Sequence, residues 1–96
     1  MRLDGRTEKR VTKAIPVCLV AAESPHIAEQ AMTVNVSPHG ARVLTRHRWQ
    51  SAEEPRLASR SGDFRTQTKV VYCQPLTDGH FCVGLQFQSA FMDWGL

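Results

Sequence analysis

With 96 residues, 42% of them hydrophobic and 22% charged, the chain has the size of one folded domain and is too apolar for an intrinsically disordered one. A formal net charge of +3 is too mild for a protein that coats nucleic acid without selection. No run approaches the ~20 apolar residues of a bilayer-spanning helix, and the basic start continues into polar residues where a signal peptide would be apolar, so the expectation is a cytoplasmic protein with no membrane partner.

The positive charge gathers at the front, where Arg2, Arg6, Lys9, Arg10 and Lys13 face only Asp4 and Glu8. Residues 1–10 show no hydrophobic period and contain Gly5, which predicts a flexible basic arm ahead of a single domain over 11–96. Val11, Ile15, Val17, Leu19 and Val20 predict a first strand over 10–20, with Pro16 at an edge or bulge. After the turn "AESPHIAEQ", "AMTVNV" (31–36) sets Met32, Val34 and Val36 against Thr33 and Asn35, the two-residue period of a half-buried strand. "SPHG" turns the chain, and "ARVLTRH" (41–47) predicts a third strand. Residues 49–59 are polar and read as a loop or one irregular helical turn. "SGD" is a turn, "FRTQTKVVYCQ" (64–74) a long strand, and Asp78-Gly79 a hairpin signal before "FCVGLQF" (81–87). In that last strand Phe81, Val83, Leu85 and Phe87 share one face, and Cys82, Gly84 and Gln86 the other. Phe91 and Trp94 of the tail are expected to cover the core. Short strands with frequent turns and no amphipathic helix predict an antiparallel sandwich or small barrel, closure removing the edges that invite association.

Little here supports catalysis. Ser37, His39, Asp78 and His80 contain the residue types of a hydrolytic triad but sit in no nucleophile elbow, and the four histidines lack metal-ligand spacing. Cys18, Cys73 and Cys82 are odd in number and without a CxxC pair, which predicts packed thiols, although Cys73 and Cys82 fall on either side of the hairpin. "RTEKR" is the more informative stretch, because Arg6 and Arg10 offer two forks suited to phosphate oxygens or a guanine edge. Spacing alone decides nothing, since the pairs Arg2/Arg6, Arg42/Arg46 and Arg56/Arg60 share it. Likewise, Asn35 and Ser37 would by themselves serve as turn caps.

Taken in order, "RTEKR", the strand that follows, "NVSPHG" and the closing "VGLQF" resemble the PilZ domain family, whose signature is an RxxxR arm followed by a [D/N]xSxxG turn. The matching positions are Arg6 and Arg10, then Asn35, Ser37 and Gly40, and the resemblance extends to the "FMDWGL" tail. It implies an all-β fold, a six-stranded antiparallel barrel, and binding of cyclic di-GMP as a ligand, with no cofactor or metal and no enzymatic turnover. The implied ligand contacts are Arg6, Arg10, Asn35, Ser37 and Gly40, with Lys9, His39, Arg42 and Gln86 as secondary neighbours. The arm would order over the ligand and alter the surface offered to a protein effector. Gly5, Pro38 and His39 depart from the usual family pattern. Two alternatives stand beside this reading: a PilZ-like interaction module that binds no nucleotide, and a basic barrel that stacks single-stranded nucleic acid on Trp49 within "RVLTRHRW".

Overall fold

The computed structural model describes residues 10–24, 27–61 and 65–88. Seven strands form: β1 (Val11–Thr12), β2 (Pro16–Val20), β3 (Ala28–Ser37), β4 (Gly40–Thr45), β5 (Arg56–Ser59), β6 (Arg65–Pro75) and β7 (Phe81–Phe87). All pairings are antiparallel, and the ring β3-β2-β5-β6-β7-β4 closes through β3 and β4 into a six-stranded barrel. β1 lies outside the ring, paired to β3 through Val11 opposite Val36 and Thr12 opposite Asn35. Among the described residues no helix forms, so none is long and apolar enough to cross a membrane.

Inward-pointing residues of every barrel strand fill the interior. Val17 and Leu19 of β2, Val36 of β3, Val43 of β4, Leu57 of β5, Val70 of β6, and Val83, Leu85 and Phe87 of β7 are buried. Each such side chain stabilises the fold by about 1.5–3 kcal/mol relative to exposure. Threonines sit among them without leaving their hydroxyls unpaired: Thr45 donates to the His47 carbonyl at 2.8 Å and Thr68 to the Pro55 carbonyl at 2.8 Å.

The sequence-based strands need four corrections. The segment expected as one strand over 10–20 is broken at residues 13–15, giving β1 and β2. β3 begins at Ala28, and its alternation is not the one expected: Ala31 and Thr33 point inward while Met32 is 38% exposed. A bulge at Val34 then shifts the register, so that Val36 takes the interior and Asn35 the outside. The third strand stops at Thr45, and His47 belongs to the next loop. Finally, the polar stretch 49–59 contains β5, held by its buried Leu57. Cys73 and Cys82 are not cross-strand partners, because Cys73 opposes Val83 and Gln74 opposes Cys82; all three cysteines are free.

Candidate functional site

β3, β4, β7 and β6 lie side by side, and their outward side chains form rows across the barrel wall. One row reads Asn35, Arg42, Gly84 and Tyr72, each opposite the next in the register. The neighbouring row, closer to the 37–40 turn, reads Gly40, Gln86 and Lys69. Both depend on register shifts. The bulge at Val34 sends Asn35 outward, and a second irregularity at Val71 brings Tyr72 opposite Gly84.

Arg10 enters this surface from the chain segment just before β1. Its Nη1 donates to Asn35 Oδ1 at 2.8 Å, a contact between residues 25 apart in sequence. Its other terminal nitrogen lies 3.7 Å from where a Gly40 Cβ would stand. That Cβ would also meet the Leu85 carbonyl oxygen at 2.7 Å, so only glycine lets β4 approach β7 this closely at the turn. The Ser37 hydroxyl is buried and donates to the Gly40 carbonyl at 3.3 Å. It therefore closes the turn from within, the local capping role open to it from the sequence. The exposed His39 holds the turn to the last strand through its carbonyl, which accepts from the Phe87 N–H at 2.9 Å.

Tyr72, like Lys69 in the neighbouring row, is a member of this surface that sequence reasoning missed. Its ring fills the space that a side chain on Gly84 would need, with Cζ 2.6 Å from the Cβ position. Burial pushes its phenol above the usual range, the nearby Cys82 thiol adds to the shift, and the Arg42 and Arg10 guanidiniums oppose it. Register and the Arg10–Asn35 bond thus set two cations, an amide and an aromatic ring on one patch of the wall. "VVYCQ" carried the signal in its aromatic residue, but the pairing with Gly84 depends on the irregularity at Val71.

The structure thus brings together Arg10, Asn35, Gly40, Arg42 and Gln86 and flanks them with Ser37 and His39. Arg6 and Lys9 lie outside the described residues, as do Gly5, Phe91 and Trp94. The triad assembled from the sequence is divided: Ser37 and His39 sit at one end of the barrel, and Asp78 and His80 in the β6–β7 hairpin at the other, with the length of β7 between. There the His80 N–H donates to Asp78 Oδ1 at 3.0 Å, which holds the Asp78 carboxyl below the usual carboxylate range. No group of three or more His, Cys, Asp or Glu among the described residues is arranged to hold a metal ion. Trp49, the platform of the nucleic-acid alternative, is buried, and its indole N–H donates to Glu29 Oε1 at 2.9 Å. It therefore offers no exposed face for stacking a base.

The family model described as PilZ domain matches residues 4–91. No curated protein matches the sequence. Among solved structures, the Bacillus subtilis inhibitor of motility (MotI/DgrA) superposes with a TM-score of 0.74 at 18% identity, covering 99% of this chain and 47% of that one. The chain thus spans about half the length of that relative. The PilZ domain of YcgR from Escherichia coli, solved with c-di-GMP, superposes with a TM-score of 0.69 at 12% identity, covering 90% of this chain and 79% of that one. At these identities the superpositions speak for the barrel, and the family match over nearly the whole chain speaks for descent. This chain belongs to the PilZ domain family.

Proposed function

We propose that this protein is a receptor for cyclic di-GMP that acts by binding, with no turnover of the ligand. The observation that carries the reading is the Arg10–Asn35 contact above Gly40, which joins the arm motif to the turn motif on one exposed face. Membership of the PilZ family supports it, as does likeness to a barrel solved with that nucleotide. In this reading the Arg10 fork, with Arg6, grips phosphate oxygens and a guanine edge, and Asn35 offers its amide to the same base. Ser37 keeps the turn in shape, and Gly40 lets the ligand lie close to the backbone. Arg42, Lys9, His39 and Gln86 surround the site, and the exposed side of the Tyr72 ring gives a flat surface for a purine.

In this reading, ligand binding holds the arm against the wall and changes the surface met by a protein effector. Calorimetric titration with cyclic di-GMP tests the reading. Saturable binding is expected, weakened by about 1–3 kcal/mol in Arg10→Ala, the worth of one bidentate contact. A flat titration of the parent protein would leave the barrel as an interaction module that reads no nucleotide. Equal affinity of parent and variant would remove Arg10 from the site.

A further inference from the structure

β3 carries an internal conflict that one side chain resolves. On one edge it pairs with β2 through Ala28–Met32 and with β1 through Asn35 and Val36, so the first strand skips two residues of β3. On the other edge its ladder with β4 shifts at the same place, between Thr33 and Asn35. The two irregularities coincide, and Thr33 sits between them with 2% of its surface exposed.

Its hydroxyl takes over the missing ladder. Thr33 Oγ1 donates to the Lys13 carbonyl at 2.6 Å and accepts from the Ile15 N–H at 2.7 Å, so that the break in the first strand closes around a side chain instead of a backbone partner. Backbone bonds flank it: the Thr33 N–H donates to the Ile15 carbonyl at 3.0 Å, and the Lys13 N–H to the Val34 carbonyl at 3.2 Å. Past this stitch, Asn35 faces outward and β1 lies beside it, with Arg10 immediately before β1. Without the one-residue shift, Asn35 would keep the parity of Thr33 and point into the core.

We propose that Thr33 is a positioning residue for the nucleotide site: its buried hydroxyl holds the register break that sets Arg10 and Asn35 side by side. Valine has nearly the same shape but cannot serve the Lys13 carbonyl or the Ile15 N–H, so the break in Thr33→Val must close differently or stay open. Serine keeps the hydroxyl. The ligand effect rests on the cyclic di-GMP reading, while the effect on the arm does not.

The experiment compares Thr33→Val, Thr33→Ser and Thr68→Val in the full chain. Thr68→Val is the matched control, since Thr68 is equally buried and bonds a backbone carbonyl from β6, three strands round the ring from β3. In ligand-free protein, Thr33→Val is expected to lose hydrogen-exchange protection at the Ile15 amide and the magnetisation-transfer contact between the Arg10 and Asn35 side chains. Thr33→Ser and Thr68→Val keep both. With cyclic di-GMP, Thr33→Val binds about tenfold more weakly, Thr33→Ser within about threefold of the parent, and Thr33→Val adds nothing in an Arg10→Ala background. If the parent does not bind the nucleotide, the function proposed above falls and the arm measurements decide this inference alone. Retention of the Arg10–Asn35 contact in Thr33→Val overturns it, as does an affinity loss matched by Thr68→Val.

Discussion

The two ends of the barrel each gather their loops around one polar side chain of β3, to opposite purpose. At the far end, the Glu29 carboxylate accepts from the Arg46 N–H, from the His47 N–H at 3.3 Å and from the Trp49 indole at 2.9 Å, with the His47 ring 3.8 Å away. Only a tenth of the Glu29 side chain remains exposed. At the near end, Asn35 takes the Arg10 fork but stays partly exposed, and Arg10 itself lies open to solvent. A carboxylate whose oxygens are already engaged by backbone and indole donors builds a loop. An amide and a guanidinium left facing water are equipped to exchange that water for a ligand. Number of partners and depth, more than residue type, separate the end that builds loops from the end proposed to bind a ligand.

The contrast can be broken from either side. Glu29→Ala should be the most damaging surface-accessible change, lowering stability by about 2–4 kcal/mol in denaturant unfolding, because it strips charge-assisted bonds from a half-buried loop. Its affinity for cyclic di-GMP per folded molecule should stay near the parent's. Gly84→Ala drives a methyl into the Tyr72 ring and should cost about 1–3 kcal/mol of stability, with the ring displaced from the wall in its nuclear magnetic resonance contacts. Arg10→Ala is the mirror of Glu29→Ala: an exposed residue whose loss should leave the unfolding midpoint within about 0.5 kcal/mol of the parent while nucleotide affinity drops.

A pH titration sharpens the near end without any ligand. Tyr72 is the single tyrosine of the chain, so tyrosinate absorbance reports it alone. Burial raises its pKa in the fold above the ordinary tyrosine value of 10.0. Its protonated form therefore contributes stability that is fully present below pH 10.0 and is lost as pH rises through the folded-state value. Because Arg10 and Arg42 oppose the rise, Arg10→Ala should move the midpoint further upward; a downward or absent movement would place Arg10 away from the phenol. The smallest effect concerns the far loops, where Ala52 holds φ at 76°. Ala52→Gly should relieve this left-handed strain and raise stability by about 0.5–1 kcal/mol in thermal unfolding.

Much of this architecture is readable from residue order alone. The inward set Phe81, Val83, Leu85 and Phe87 and the Asp78-Gly79 hairpin follow from period and turn chemistry, and the family resemblance supplied the barrel. Two of the missed features share one cause. A strict two-residue period cannot reveal where a strand inserts an extra residue, and Val34 and Val71 look like any other β-formers. The first error put Met32 inside and Thr33 outside; the second hid Tyr72 from the surface it occupies. β5 was invisible for a different reason: one buried residue, Leu57, between polar neighbours does not make a pattern. The meeting of Arg10 with Asn35 followed from the motif, and the capping role of Ser37 was open from its place in the turn, with only its burial new.

β1 stands apart from the closed ring, attached by two residue pairs, whereas six join β4 to β7. In the proposed reading it serves as a latch. Lifting it breaks no bond between the strands of the ring, so the segment bearing Arg10 can detach and reseat at far lower cost than unfolding, with the cylinder intact beneath it. A nucleotide that bridges latch and wall would then tune how often it opens, and the timing of that opening becomes a signal available to a neighbour.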